Sequence, residues 1–211
     1  MHRFTPESAV TTQQLLGADI QMVLDVCASL PATDDVIKLA LKRTSNWAAR
    51  AKATHTRTDQ SLFGIVQGGI DPVLREESAK ITANLEFDGY GIGGLSVGET
   101  RAEMIPALAA ATAHLPVNRP RYLMGVGDPA SLVEAVALGV DQFDCVMQTR
   151  LGRHGTALTS TGKVHMKNVR HARDDSPLDA ACSCAVCAKH SRAFIRHLFQ
   201  TGEPTAARLL S

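Results

Sequence analysis

The stretch LFGIVQGGIDPVLREESAKI, residues 62–81, decides the fold class. Its first five residues are apolar or glycine and predict a buried strand over 62–66, and Gly68-Gly69 predicts a turn after Gln67. Asp71-Pro72 then joins a helix N-cap to the residue preferred at the first helical position. The stretch therefore predicts a strand, a turn and a helix in direct succession.

The same succession recurs through the first 145 residues. Further strands are predicted over 20–24, 90–93, 122–126 and 140–146, with helices over 34–55, 99–114 and from Asp128-Pro129 onward, where Leu132, Val133 and Val136 are expected to face inward. Strands separated by helices form right-handed βαβ units, so a parallel α/β sheet is expected. Five strands fit a doubly wound sheet or part of a (β/α)8 barrel. No G-x-G-x-x-G follows the first strand, so a dinucleotide fold has no direct support.

Beyond Val146 the composition changes. Residues 149–168 are rich in glycine, threonine and basic side chains and are predicted to be a loop with a hairpin near Thr161-Gly162. Residues 170–189 are irregular and contain three cysteines, and 191–200 form a short predicted helix. Between 150 and 200 there are nine Lys/Arg and three acids, a net charge of +6, whereas the remainder carries −5. This suits a polyanionic partner, with a solvated surface as the alternative.

Bulk composition excludes several classes of protein. Hydrophobic residues make up 45 % of the 211 and aromatic residues only 4 %, so an aliphatic core is expected. No run of about 18 apolar residues occurs, so no membrane span is expected. The N-terminus lacks an apolar signal region, and five cysteines without such a signal argue against a disulfide framework. A cytoplasmic location is expected.

Polar residues and glycines fall at the ends of the predicted strands. Asp25, Gln67, Gly94, Met124 and Asp144 each end or follow one strand. In parallel α/β folds these ends line the active site, so a pocket able to read a purine edge is expected there. A lone aspartate at a strand end is more often a helix cap, and for Asp144 alone that reading stays open.

The cysteines fall into two groups. Cys182, Cys184 and Cys187 form C-x-C-x-x-C, which predicts a tetrahedral zinc site that needs one more ligand. His190 could close the site, although the chain between it and Cys187 is tight. Cys27 and Cys145 stand alone at strand ends, where packing as buried thiols is the default.

Five ordered motifs resemble the tRNA-guanine transglycosylase family, also called queuine tRNA-ribosyltransferases, over nearly the whole chain. The motifs are FGIVQGG (63–69), GGLSVGE (93–99), RYLMGVG (121–127), FDC (143–145) and the three-cysteine motif. The resemblance implies a partial (β/α)8 TIM barrel over 1–149, and a basic tRNA-binding loop, a zinc-binding subdomain and a C-terminal helix over 150–211.

The resemblance also implies a reaction. Such enzymes exchange the wobble guanine of tRNAs with GUN anticodons for another base, which is preQ1 (7-aminomethyl-7-deazaguanine) in bacterial members, in queuosine biosynthesis. Asp144 matches the nucleophile, and one structural zinc ion is implied. Substrate-binding positions are matched by Asp25, Cys27, Gln67, Gly94, Leu95, Tyr122 and Met124, and tRNA-binding positions by Thr149, Arg150 and Arg153. The implied partners are the tRNA anticodon stem-loop, the 7-deazaguanine base and, as is common in the family, a second copy of the chain.

The chain departs from the family pattern at both ends. The family has an N-terminal portion with a second catalytic aspartate, and its fourth zinc ligand is a histidine whose position lies beyond Ser211. Gln148 also replaces a common proline. These departures lead to the expectation of a truncated chain, inactive alone. The alternatives are a non-catalytic, zinc-containing tRNA-binding fragment or subunit, and an unrelated barrel enzyme for a sugar phosphate. The last leaves the cysteines and the +6 segment unexplained.

Overall fold

The chain divides into two units, one ending at Asp144 and one beginning at Cys145, in a computed structural model that describes residues 4–211. Residues 1–3, part of the segment in which no signal region is expected, lie outside this range. Within the described residues, no helix combines the length and the apolar character that a membrane crossing requires.

The first unit alternates helices and strands along its whole length. Its elements are α1 (Pro6–Leu16), β1 (Ile20–Met22), α2 (Asp34–Thr54), β2 (Ser61–Val66), α3 (Pro72–Ala83), β3 (Gly89–Ile92), α4 (Arg101–Thr112), β4 (Arg121–Leu123), α5 (Pro129–Ala137) and β5 (Gln142–Phe143). The side chains of Asp71 and Asp128 accept hydrogen bonds from the first turns of α3 and α5, each followed by proline. The Asp-Pro starts predicted from the sequence are thus confirmed.

The five strands form one parallel sheet in the order β1-β2-β3-β4-β5. This order follows the chain without reversal, whereas a doubly wound sheet reverses direction at a switch point. Together with the curl of the sheet, which resembles half of a barrel, it decides between the two folds that the sequence left open. The parallel α/β prediction is confirmed, and the sheet is of the barrel type.

Side chains alternate between the helix-covered face of the sheet and its inner face. Leu62 and Val66 are fully buried in the core, which also takes in apolar residues of α2, α3 and α4. On the inner face, a Cβ at Gly89 would lie 2.3 Å from the Phe63 ring, and one at Gly91 would lie 2.8 Å from Met22 Cε. Glycines on β3 therefore make room for large side chains from the neighbouring strands.

Two predictions about the helices and strands of this unit are wrong. Val133 and Val136, expected to face inward, are 72 % and 58 % exposed, whereas Ser131 and Ala135 are buried. These small side chains let α5 pack closely, so the buried face is rotated from the one with most valines. The strand expected over 140–146 is paired only at Gln142–Phe143.

The second unit has a small core of its own. Its elements are α6 (Met147–His154), β6 (Thr156–Thr159), β7 (Gly162–His165), a 3-10 turn (Val169–His171), α7 (Ala185–Lys189), α8 (Arg192–Gln200) and α9 (Pro204–Leu209). The antiparallel pair β6–β7 confirms the predicted hairpin. Ala157, Val164, Met166, Leu178 and Ile195 form the buried cluster.

The glycine at the start of β3 yields a test of this packing. The three nearest atoms to a Cβ at Gly89 all belong to the Phe63 ring, which is 2 % exposed and cannot swing into solvent. Gly89→Ala should therefore lower the free energy of unfolding by about 1–3 kcal/mol. Urea unfolding of Gly89→Ala, Phe63→Leu and the double variant would measure it. Since the leucine removes the clash, the double variant should lose less than the sum of the two, and additive losses would contradict the packing described.

Candidate active site

The carboxyl ends of β1, β2 and β3 bring Asp25, Gln67 and Gly94 together. Gln67 Nε2 donates a hydrogen bond of 2.6 Å to Asp25 Oδ2, and the Gln67 backbone N–H donates to Ser78 Oγ at 3.0 Å. A Cβ at Gly94 would lie 2.1 Å from Gln67 Oε1, so only glycine lets the loop after β3 approach this amide. A carboxylate, an amide and a glycine backbone therefore form one polar cluster.

The environment of this cluster shifts two pKa values upward. Burial raises the pKa of the Asp25 carboxyl above its ordinary value, and the hydrogen bond from Gln67 opposes this. Partial burial, and then the charge of Asp25, raise the pKa of the Cys27 thiol, while the backbone N–H of Gly94, directed at the thiol, lowers it. The raised pKa favours the protonated thiol, which is a poor nucleophile. Cys27 is nevertheless exposed, so the prediction that it packs as a buried thiol is wrong.

A buried cation, Arg75 on α3, lies behind the cluster. Its side chain is fully buried. Nε donates to the Gly69 carbonyl at 2.7 Å, and Nη2 to that of Gly94 at 2.9 Å. Nη1 donates to the carbonyls of Gly93 and Val66 at 2.6 and 3.3 Å. Burial lowers the pKa of the guanidinium to about 10, which leaves it cationic at neutral pH.

Sequence reasoning did not single out Arg75, although a signal was present. Arg75, Ser78, Ala79 and Thr82 share the buried face of α3 at helical spacing. A charged residue on such a face needs partners for its donors. The glycine-rich loops after β2 and β3 are rich in carbonyl groups and could have been expected to supply them.

The loop after β3 is held by a second set of contacts. Glu99 accepts hydrogen bonds from the backbone N–H groups of Ser96 and Val97, and Ser96 has a φ of 61°, which L residues rarely adopt. The Val97 carbonyl accepts a hydrogen bond from the Leu30 N–H. The Leu95 side chain is buried in the core, so the backbone is what this residue can offer a ligand.

Asp144 lies directly after β5, and its carboxylate is fixed by two donors. The Tyr122 hydroxyl donates to Asp144 Oδ1 at 2.6 Å, and the Gly125 N–H donates to the same oxygen at 2.8 Å. Asp144 is exposed, and neither donor contacts Oδ2. Burial, together with the charge and hydrogen bond of Asp144, raises the pKa of Tyr122 to about 12, so the phenol stays a donor at neutral pH. The sequence did not indicate either hydrogen bond.

The inner face of the sheet lies beneath these groups. A Cβ added at Gly91 would lie 2.8 Å from Met22 Cε and 3.4 Å from Met124 Sδ. The side chains of Met22 on β1 and of Met124, the residue after β4, thus both reach the glycine of β3. Tyr122 and Met124 are both half-buried, so each leaves part of its side chain available for an apolar contact on this face.

Thr149 and the basic residues Arg150 and Arg153 fall in a segment predicted to be a loop, but they lie on helix α6. The loop prediction is therefore wrong for 149–154. The helix ends as the sequence could have indicated, with Arg153-His154 in the last turn and Gly155 at φ 83°. All three predicted tRNA-binding residues are exposed. Arg150 and Arg153, three residues apart, share one side of the helix.

The three cysteines of the second unit lie together. The sulfur atoms of Cys182, Cys184 and Cys187 are all within 4.8 Å of one another, and no other His, Cys, Asp or Glu of residues 4–211 joins this group. Three thiolates on one tetrahedral zinc ion lie about 3.8 Å apart, as Zn–S bonds of about 2.3 Å require. The group can therefore hold a metal ion. His190 instead stacks on Phe194, with ring centroids 5.1 Å apart.

Backbone donors prepare one of these thiols for metal binding. The N–H of Cys187, the Cys182 thiol and the N–H of Val186 all donate to Cys184 and lower the pKa of its thiol to about 7. A larger thiolate fraction at neutral pH favours coordination by Cys184, whereas burial raises the pKa of the Cys187 thiol to about 11.

Asp25 yields a pH-dependent test. Because burial raises the carboxyl pKa in the folded state, the proton binds the folded state more tightly. The stability that Asp25 contributes is present below its unfolded pKa and is lost as pH rises through the folded pKa. Asp25→Asn should therefore raise the free energy of unfolding at about pH 7 by on the order of 1 kcal/mol. The gain should be smaller near pH 4. Urea unfolding across this range would measure it.

An exposed aspartate provides the control with the opposite sign. Arg57 lowers the pKa of the Asp59 carboxyl through a hydrogen bond, so Asp59→Asn should lower stability at neutral pH and lose its effect in acid. A lower midpoint for Asp25→Asn at pH 7 would mean that the buried carboxylate stabilises the fold, contrary to this account.

The chain is similar to known proteins over nearly its whole length. A family model described as Queuine tRNA-ribosyltransferase matches residues 1–211. Proteins named queuine tRNA-ribosyltransferase are similar to the chain: 52 % identical in Herpetosiphon aurantiacus and 50 % in Desulforamulus reducens, each over 208 residues and 99 % of this chain. The matches cover 53 % and 56 % of those proteins, so the chain spans about half of their length. With the family model matching throughout, the chain belongs to the queuine tRNA-ribosyltransferase family.

Proposed function

We propose that the chain carries the nucleophile and much of the base pocket of a tRNA-guanine transglycosylase, a pentosyltransferase that exchanges the wobble guanine of tRNAs with GUN anticodons for preQ1. The observation that carries the proposal is the exposed Asp144 carboxylate at the end of β5, with one oxygen held by Tyr122 and Gly125. Family membership supplies the reaction for which such a carboxylate is suited.

The reaction proceeds in two displacements at the ribose. Asp144 Oδ2 attacks C1′ through an oxocarbenium-like transition state, the bond from C1′ to guanine breaks, and the base leaves after taking up a proton. The ribosyl ester is then opened by the incoming base, which loses a proton as its nitrogen bonds to C1′. Two inversions give net retention. The donors on Oδ1 keep the carboxylate in one rotamer through both steps.

The base binds at the carboxyl ends of β1–β3 in this proposal. The Asp25 carboxyl, the Gln67 amide and the backbone at Gly94 and Leu95 offer both donors and acceptors to a purine edge. Cys27 lies beside them, and Tyr122 and Met124 provide the apolar contact. Support comes from the hydrogen bond between Gln67 and Asp25 and from the close approach of Gly94.

The tRNA contacts α6 through Thr149, Arg150 and Arg153. Arginines spaced along one side of a helix can follow successive phosphates, and neutralising them makes affinity fall as salt rises. Exposure of all three side chains supports this assignment. A zinc ion held by Cys182, Cys184 and Cys187 would stabilise the fold of the second unit, whose own core is small.

The nucleophile can be trapped directly. When the full chain is incubated with a GUN-anticodon tRNA and a slowly reacting base analogue, a covalent protein–tRNA adduct should appear on a denaturing gel. Such an adduct would overturn the expectation from the sequence that the chain is inactive alone. Asp144→Asn should abolish the adduct, because an amide cannot form the ester. Asp141→Asn is the matched control: Asp141 precedes β5 and binds the Arg121 N–H at the opposite end of the strand. It should leave the adduct in place.

Two outcomes would contradict the assignment. An adduct that persists in Asp144→Asn would place the nucleophile elsewhere. Salt-dependent tRNA binding without an adduct in the wild-type chain would favour the non-catalytic tRNA-binding alternative for the chain as it stands.

Metal binding is tested by zinc content. The purified chain should hold about one zinc ion, and Cys184→Ser should lose most of it, because two thiolates bind zinc far more weakly than three. Cys145→Ser, which alters a cysteine outside the group, should keep it. Elemental analysis after gel filtration would measure the ratio, and chelation should lower the melting temperature of the wild type. Equal zinc in all three proteins would exclude the cysteine site.

A further inference from the structure

Arg75 controls the orientation of two peptide groups in the loop after β3. Its guanidinium binds the carbonyl oxygens of Gly93 and Gly94 at 2.6 and 2.9 Å. In a trans peptide the N–H of the following residue points opposite to the carbonyl. The N–H groups of Gly94 and Leu95 must therefore point away from Arg75. For Gly94 this agrees with its N–H being directed at the Cys27 thiol, a weak acceptor that the carbonyl oxygen of a bound base would replace.

We propose that Arg75 is a positioning residue for base recognition: by holding these two carbonyls it presents the N–H groups of Gly94 and Leu95 as donors to the carbonyl oxygen of a 6-oxopurine or 6-oxo-deazapurine. The proposal rests on the function proposed above, in which the base binds at this loop. Gly94 has a φ of 65°, and successive N–H groups around such a residue form a concave site for an oxygen atom.

The loop itself cannot fix this orientation. Gly93 and Gly94 lack side chains, so either peptide could turn at little steric cost. What opposes a turn is the buried guanidinium, which would lose a partner that water cannot replace in a fully buried site. The planar guanidinium also donates to the carbonyls of Gly69 and Val66. It therefore bridges the loop after β3 to the end of β2 and the loop that follows it. A lysine at position 75 offers one point charge and cannot reproduce this geometry.

A second buried arginine provides a matched control. Arg121, at the start of β4, is 8 % exposed and donates to the carbonyls of Leu115 and Gly139 at 2.5 and 3.4 Å. It therefore makes the same kind of contact at the amino ends of the strands, away from the proposed base site. Arg121→Met should destabilise the protein without changing base selectivity.

The experiment compares guanine with 2-aminopurine, which lacks the carbonyl oxygen. Affinities of the full chain and of Arg75→Lys, Arg75→Met and Arg121→Met for both bases would be measured by NMR titration. Wild type and Arg121→Met should prefer guanine. Both Arg75 variants should lose about 10- to 100-fold in affinity for guanine, the loss expected for one or two buried hydrogen bonds, with little change for 2-aminopurine.

Hydrogen exchange separates this proposal from the proposed function. In the ligand-free protein, the Gly94 and Leu95 amides should exchange differently in the Arg75 variants from those in wild type and in Arg121→Met. If wild type binds neither base, the proposed function fails for this chain, and the exchange data still decide the role of Arg75. Equal losses for both bases, unchanged exchange at these amides, or unfolding of both Arg75 variants beside a folded Arg121→Met would show a purely structural role and overturn the proposal.

Discussion

Four carbonyl oxygens at the carboxyl ends of β2 and β3 are bound by one buried cation, the guanidinium of Arg75. The segments that supply them, around Gly69 and Gly94, are rich in glycine and would otherwise sample many conformations. Because the guanidinium is fully buried, water cannot take the place of these carbonyls as hydrogen-bond acceptors. The loop conformations and the buried charge therefore depend on each other, and the approach of Gly94 to the Gln67 amide depends on both.

Two carboxyl groups at this end of the sheet occupy different environments. Asp25 is partly buried, its pKa is raised, and it shares a hydrogen bond with the Gln67 amide. Asp144 is exposed and receives two donors on one oxygen. Environment can assign separate roles to two like groups. In the proposed function, the first would form hydrogen bonds to the base and the second would attack the ribose. Burial of the Asp25 carboxyl also lowers the free energy of unfolding at neutral pH, and a role in binding would explain why a protein keeps such a group.

Local pattern predicted much of the fold and of the candidate site. The Asp-Pro pairs mark the starts of α3 and α5, and the cysteine spacing indicates a group that the structure brings within 4.8 Å. The errors have physical causes. The buried face of α5 depends on how closely it packs, which favoured Ser131 and Ala135 over the exposed Val133. Helix α6 is short and strongly basic, so its composition resembled that of a loop.

The sequence by itself determined that strands and helices alternate, that glycines and polar residues follow the strands, and that three thiols lie within six residues. These features depend on residues that are close together in the chain, so the sequence shows their spacing directly. Only the tertiary structure decided that the strands pair in chain order, that Arg75 binds Gly94, and that Tyr122 binds Asp144. Each of these contacts joins residues from different strands or loops, and such pairings are fixed by the packing of the whole sheet rather than by local preference.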